Sequence, residues 1–262
     1  MRDIPKIPIV LVIAGNDPSG GAGICADIQA ISALDCHPAP VITVLTVQDT
    51  CNAYRVEPLD PNGIVEQANA VLQDMPVAAI KLGLLGNAEI GMAVSSILEK
   101  HRGIPVIIDP VLIATGGASL AESDLVEVYL EHLLQHATVL TPNEFEITQL
   151  GYPETGRTAQ ATILLNRGCE FVLAKGGDDP TPDITNLLIG PGTQVEEFTW
   201  PRLPGSFHGS GCTLSSALAA YVARGEDVAA AARLAQAYTL RAIQHGWQPG
   251  KGQHIPNRMH SE

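Results

Sequence analysis

The run Pro204-Gly205-Ser206-Phe207-His208-Gly209-Ser210-Gly211-Cys212 leads straight into an Ala- and Leu-rich segment of helical composition. Backbone N–H groups without partners converge at a helix start, where the macrodipole favours an anion, so the start of that helix is a place to hold a phosphate. The same position is expected to lower the pKa of the Cys212 thiol and make it a base or hydrogen-bond acceptor toward a hydroxyl; a buried residue at a helix start is the alternative. A second Gly-rich run, Gly15-Asn16-Asp17-Pro18-Ser19-Gly20-Gly21-Ala22-Gly23, follows an apolar stretch and precedes another helical one. It is either a ligand loop or a tight strand-to-helix turn. It carries neither the Gly-x-x-x-x-Gly-Lys-Ser/Thr nor the Gly-x-Gly-x-x-Gly pattern, so any nucleotide site here is built differently.

Acidic and basic groups fall at further points of the same kind. Asp109-Pro110 and Thr141-Pro142-Asn143-Glu144-Phe145-Glu146 each follow a short apolar run, as does Lys175-Gly176-Gly177-Asp178. Asn143 and Glu146 have the spacing of a capping box. They are equally suited, with Asp109, to hold a Mg2+ ion largely through water, since that ion prefers a few carboxylates plus phosphate oxygens; the two roles are compatible. Lys175 is placed either to face a nucleotide phosphate or to sit in solvent.

These clusters demand a scaffold that brings strand ends together. Short β-branched runs at 9–14, 40–45, 79–82, 105–109, 138–141 and 171–175 alternate with helical segments at 22–34, 62–73, 88–101, 123–134, 144–150 and 158–167. That alternation predicts a mainly parallel sheet with helices on both faces, whose ligands lie beyond the carboxyl ends of the strands. Runs at 186–189 and 195–200, separated by Gly190-Pro191-Gly192, read as a hairpin at a flap or sheet edge, and helices are expected over 213–224 and 228–244. No internal repeat or linker divides the chain, so residues 1–262 are expected to form one domain.

Composition narrows the function. A net charge of −13 opposes binding to nucleic acid. The apolar runs are strand-sized rather than membrane-spanning, and the first residues, Met1 to Lys6, lack the features of a signal peptide, so a cytoplasmic protein is expected. Five cysteines with no Cys-x-x-Cys pair argue against disulfides and a zinc site.

Taken in order, the segments 14–23, Asp27, Gln48-Asp49-Thr50, Lys81-Leu82-Gly83, Asp109-Pro110-Val111, Thr141-Pro142-Asn143, Lys175-Gly176-Gly177 and His208-Gly209-Ser210-Gly211-Cys212-Thr213 resemble those of the hydroxymethylpyrimidine and phosphomethylpyrimidine kinases. The resemblance runs from Val10 to about Gln253. It implies a ribokinase-like three-layer α/β/α sandwich with a mainly parallel central sheet, which uses ATP and Mg2+ to phosphorylate a pyrimidine alcohol and then its monophosphate in thiamine biosynthesis. It further implies that Gly209 to Cys212 form an anion hole, with Cys212 where sugar-kinase relatives carry an aspartate base. Gln48 would pair with the aminopyrimidine edge, Gly15, Asp17 and Ala22 would line that pocket, and the protein would be a homodimer. A carboxamide suits the aminopyrimidine, because it bonds an adjacent donor and acceptor at once. Phe207 stands where the family often has threonine, the stretch from Lys175 to Trp200 is short, and Gly250-Lys251-Gly252 resembles a terminal family turn of unassigned role. A pyridoxal kinase and a catalytically silent pyrimidine-binding protein are the competing readings.

Overall fold

The computed structural model describes residues 7–112, 123–179 and 181–260; the N-terminal residues 1–6, read for a signal peptide, lie outside them. In chain order the strands are β1 (Ile9–Asn16), β2 (His37–Gln48), β3 (Ala53–Pro58), β4 (Val77–Leu82), β5 (Val106–Ile108), β6 (Val139–Leu140), β7 (Phe171–Ala174), β8 (Asp183–Ile189) and β9 (Val195–Pro201). The helices are α1 (Gly23–Ala33), α2 (Pro61–Asp74), α3 (Ala88–Lys100), α4 (Ser123–Val128), α5 (Glu144–Leu150), α6 (Arg157–Asn166), α7 (Ser210–Ala223) and α8 (Val228–Gln244).

The strands form one nine-stranded sheet in the order β3-β2-β1-β4-β5-β6-β7-β8-β9. From β2 to β7 every pairing is parallel, while β3 at one edge and β8 and β9 at the other are antiparallel. Strand order reverses at β1, and right-handed crossovers then require the helices to change faces there. Accordingly α1 packs on one face with α7 and α8, over Val10, Val12 and Ala14. Helices α2 to α6 cover the other face, over Leu11 and Ile13. Fully burying each Val, Leu or Ile among them contributes roughly 1.5–3 kcal/mol, so a one-residue slip of β1 would set both faces against their partners.

Several elements differ from the sequence expectation; β8 and α7, for instance, each begin three residues early, at Asp183 and Ser210. Strand β2 begins at His37 rather than at 40: Pro38 and Pro40 are accommodated because they pair with β1 only, β3 covering β2 no earlier than Val44. Strand β3 went unrecognised; it is a short edge strand whose Tyr54 and Arg55 are exposed, so it carries no apolar alternation. The helix expected over 123–134 is α-helical to Val128 and then widens into a π-turn over Tyr129–Leu133. The runs at 186–189 and 195–200 do pair, and as β8 and β9 they extend the sheet rather than forming a detached flap.

Candidate active site

At the carboxyl ends of the parallel strands lies a cavity of about 530 Å3. The loop after β1 is organised by Asp17, which is buried. Its Oδ1 accepts the Ser19 N–H at 2.8 Å, and its Oδ2 accepts the Ala22 N–H at 2.7 Å and the Ser19 hydroxyl at 3.0 Å. Nε2 of the buried His208 approaches the same Oδ2 to 2.8 Å. Burial alone would raise the Asp17 pKa, but hydrogen bonds from His208 and Ser19 outweigh it and hold the carboxyl below its ordinary value.

Helix α7 starts at Ser210 behind Gly209, whose φ of 77° is left-handed and favours glycine. A Cβ there would also collide with the Gly21 carbonyl, so the two Gly-rich runs touch backbone to backbone. The first intrahelical bond is Thr213 N–H to Gly209 O, at 2.9 Å. The amides of Ser210, Gly211 and Cys212 therefore precede the hydrogen-bonded helix and are free to bind an anion at the cavity wall. Cys212 differs from expectation in one respect. Burial, reinforced by Asp109 and Asp27, outweighs the favourable charge of Lys81 and the Gly23 N–H, and pushes the thiol up to about 12.

Opposite lies a charged group from three strand ends. Lys175 Nζ is 3.0 Å from Asp109 Oδ1 and 3.9 Å from Glu146 Oε2. Burial would raise the Asp109 pKa, but Lys175 and then Lys81 bring it below its usual value. Glu146 goes the other way: burial, with Asp109 adding to it against Lys175, lifts it to about 7. The capping box is present as well, with Glu146 N–H to Asn143 Oδ1 and Asn143 N–H to Glu146 Oε2 both at 2.8 Å. Among the described residues no group of three or more His, Cys, Asp or Glu side chains could cage a metal. Two acids at the cavity wall beside one ammonium instead fit an ion such as Mg2+, which keeps its waters and takes phosphate oxygens.

Behind Lys175 a buried amide network fixes the turn. Gly176 N–H donates to Asn186 Oδ1 at 2.9 Å, and Asn186 Nδ2 and Trp200 Nε1 donate to Gln236 Oε1 at 2.7 and 2.9 Å. Arg202 donates to the carbonyls of Gly177, Asp179 and Thr181, which holds the short segment after Lys175 to β9.

Gln48 ends β2 and is half-buried on the cavity wall. The turn Gly250-Lys251-Gly252 packs directly on the neighbouring Thr50. Gly252 N–H donates to Thr50 Oγ1 at 3.1 Å, and Gln253 N–H donates to the Thr50 carbonyl at 2.9 Å. Phe207 stacks its ring against His254 at 5.4 Å, a contact that a threonine could not make.

Every site residue named from the sequence thus lines this one cavity: Gly15, Asp17, Ala22, Gln48, Asp109, Asn143, Glu146, Lys175, Gly209, Ser210, Gly211 and Cys212. Three further groups had been assigned no role. Lys81 and Asp27, both fully buried, pair at 2.8 Å, and Ser216 Oγ donates to the same Asp27 oxygen at 2.6 Å. Their signal was a lysine within an apolar strand and an aspartate on an apolar helix, a charge pair where neither belongs alone. Arg258, 1% exposed, donates to Gly21 O, to Thr213 Oγ1 at 2.8 Å and to Gln29 Oε1 at 3.1 Å. Its position near the C-terminus gave no hint of that burial.

Comparison with known proteins agrees with this geometry. A hydroxymethylpyrimidine/phosphomethylpyrimidine kinase of Synechococcus elongatus is 38% identical over 254 residues, covering 94% of this chain and 95% of its own. The crystal structure of a phosphomethylpyrimidine kinase from Clostridium difficile superposes with a TM-score of 0.78 at 31% identity, covering 91% of this chain and all of that one. The pyridoxal kinase of Staphylococcus aureus in complex with pyridoxal superposes with a TM-score of 0.88 at 30% identity, covering 97% and 94%. The architecture is accordingly the ribokinase-like three-layer α/β/α sandwich, as the sequence led us to expect. The signature of the family described as phosphomethylpyrimidine kinase matches residues 17–257, and the chain belongs to that family.

Proposed function

We propose that this chain, folded as a single kinase domain, uses ATP to phosphorylate 4-amino-5-hydroxymethyl-2-methylpyrimidine, and then phosphorylates the monophosphate to the diphosphate. The observation that carries this reading is the cavity itself. The amides at the start of α7 and the Asp109, Glu146 and Lys175 group line one wall system with Gln48, as a phosphoryl acceptor and donor require. Relatives bearing the same activity in their names support it.

In this reading Gln48 reads the amino edge of the pyrimidine, and the loop held by Asp17, with Gly15 and Ala22, shapes its pocket. The amides of Gly209, Ser210, Gly211 and Cys212 neutralise the transferred phosphoryl group, and Lys175 meets the nucleotide phosphates beside Asn143. Asp109 and Glu146 would hold Mg2+ largely through water, and the ion when bound supplies charge neutralisation to the phosphates. Cys212 orients the substrate hydroxyl. Phosphoryl transfer through a loose transition state asks chiefly for alignment, so a thiol that is protonated at rest suffices to accept a hydrogen bond from the hydroxyl, whose proton leaves late, to an oxygen of the transferred phosphoryl group. The second step uses a phosphate oxygen that is already anionic, and there Cys212 has no proton to handle.

A pyridoxal kinase is the second reading, favoured by the superposition on the pyridoxal kinase of S. aureus. Incubating the protein with Mg-ATP and, in turn, hydroxymethylpyrimidine, its monophosphate and pyridoxine, with products followed by mass, separates them. Sequential mono- and diphosphate support the two-step kinase. Preference for pyridoxine moves the assignment to vitamin B6, and pyrimidine binding without phosphorylation moves it to a silent binding protein.

We further propose a cytoplasmic homodimer with no nucleic-acid or membrane partner. The exposed Leu45, Val47 and Tyr54 on the β2–β3 edge support self-association, and no described helix is long and apolar enough to cross a membrane. Sedimentation equilibrium tests the dimer, and a monomer at micromolar concentration would exclude it.

A further inference from the structure

We infer that Gln253 is a second substrate-reading residue, whose carboxamide donates to the pyrimidine ring nitrogen that Gln48 leaves unpaired. The inference rests on the pyrimidine reading above and names one more residue of that site.

Three observations carry it. First, Gln253 is half-buried in the cavity wall, and its side chain makes no hydrogen bond to any described residue. A carboxamide with two donors and an acceptor, on a residue that lines a ligand cavity and unused by the protein, is what a recognition residue looks like before its ligand arrives. Second, its backbone is fixed. Gln253 N–H donates to the Thr50 carbonyl at 2.9 Å, and the preceding Gly252 N–H donates to Thr50 Oγ1 at 3.1 Å. Thr50 lies two residues beyond Gln48, so the two carboxamides are carried by directly paired stretches of chain. Third, the next residue ties the same stretch to the anion hole: His254 N–H donates to Ser206 O at 3.0 Å, and His208 N–H donates to His254 O at 2.8 Å. Gln253 is thereby held between the lip that carries Gln48 and the segment that enters α7, the two sides between which the pyrimidine must lie.

The chemistry of the substrate completes the argument. An aminopyrimidine presents an amino N–H beside one ring nitrogen, which a single carboxamide satisfies in bidentate fashion. Its other ring nitrogen is an acceptor on a different edge. Buried unpaired, it would cost binding energy; a donor there recovers it and rejects rings that carry carbon at that position.

The test is steady-state kinetics of Gln253→Met and Gln253→Glu beside the unaltered enzyme, with thermal midpoints. Methionine keeps the length and loses all polarity; glutamate keeps the shape but, ionised, cannot donate. Both should raise the KM for hydroxymethylpyrimidine about tenfold, the size of one lost hydrogen bond, while the KM for ATP and the thermal midpoint stay unchanged. An unchanged pyrimidine KM in Gln253→Met overturns the inference, as does a KM for ATP that rises in step. A glutamate variant that binds as well as the unaltered enzyme overturns the donor role. Failure of the broader reading looks different: the unaltered enzyme itself would then neither bind nor phosphorylate the pyrimidine, and the inference would fall with it.

Discussion

Nε2 of His208 lies 2.8 Å from Oδ2 of Asp17, a contact that spans 191 positions of sequence and joins the loop after β1 to the segment that enters α7. Arg258 reinforces the junction from the other side by donating to the Gly21 and Gly209 carbonyls. The loop after β1 and the segment that enters α7 are therefore one unit, and a change to either is expected to disturb both. Asp17→Asn keeps the size of the side chain but removes the charge that takes four hydrogen bonds. It should cost roughly 1–3 kcal/mol in urea unfolding at pH 7 and raise the pyrimidine KM. Because the folded-state pKa of Asp17 is depressed, this contribution is fully present above its ordinary value of 3.8 and is lost as pH falls through the depressed value. The stability gap between variant and unaltered protein should therefore close in acid unfolding curves, and a gap that persists there would assign the effect to packing.

Cys212 separates the two chemical steps. A residue that orients a hydroxyl matters when the acceptor is an alcohol and not when it is a phosphate oxygen. Cys212→Ala should lower turnover on hydroxymethylpyrimidine by about a hundredfold, with the ATP dissociation constant unchanged and a much smaller loss on the monophosphate. With its pKa pushed up to about 12, the thiol should also resist alkylation at pH 8, where the exposed Cys51 reacts first. Equal losses on both acceptors would give Cys212 a structural part only.

Glu146 carries a pH signature. Lifted from 4.5 to about 7 by burial, it binds its proton more tightly folded than unfolded, so in metal-free protein its contribution to stability falls as pH rises across that interval. Glutamine retains the capping interaction with Asn143 and has no proton to lose. Glu146→Gln should therefore melt a few degrees higher than the unaltered protein at pH 8 in EDTA, and equally at pH 4. Added Mg2+ with ATP should protect the unaltered protein more than the variant. A difference between them that does not change with pH would show that Glu146 titrates normally.

How much of this was legible in the sequence follows from where the information is local. Strands β1, β4 and β7 announce themselves by short β-branched runs, and the capping box of Asn143 and Glu146 by spacing alone. The order in which those strands lie is not local; the family resemblance gave the fold class, and the order comes from the structure. Edge strand β3 was invisible because its side chains face water and so leave no periodicity. The pairings of Asp17 with His208 and of Arg258 with Gly21 join residues about 190 and 240 positions apart, and nothing in either partner's neighbourhood specifies the other. The thiol pKa of Cys212 was misjudged for the same reason. The helix start that lowers it is local, whereas the burial and the carboxylates that raise it, Asp109 after β5 and Asp27 on α1, come from distant parts of the chain.

Lys81 and Asp27 form an ion pair with no exposed surface on either side chain, and one Asp27 oxygen has no hydrogen-bond partner. Removing one partner leaves a bare buried charge, whereas removing both charges leaves a polar but neutral site. Lys81→Met should cost roughly 3–5 kcal/mol in urea unfolding, and the double variant Lys81→Met with Asp27→Asn should recover a large part of that loss. If the double variant is as unstable as the sum of the single ones, the pair is not coupled and Lys81 acts by packing.

The contact of Gly252 with Thr50 ties the C-terminal turn to the lip that carries Gln48. A Cβ at Gly252 would collide with the Thr50 carbonyl, and the turn would have to move away from the lip that carries Gln48. Gly252→Ala should therefore raise the pyrimidine KM by about tenfold while the KM for ATP, which we propose meets Lys175 and Asn143, stays as it was. Thr50→Ala removes only the Oγ1 acceptor and leaves the Gln253 N–H bond to the Thr50 carbonyl in place, so its effect should be smaller and in the same direction. An unchanged pyrimidine KM in a folded Gly252→Ala protein would mean that β2 and β3 hold Gln48 in place without help from the C-terminal turn.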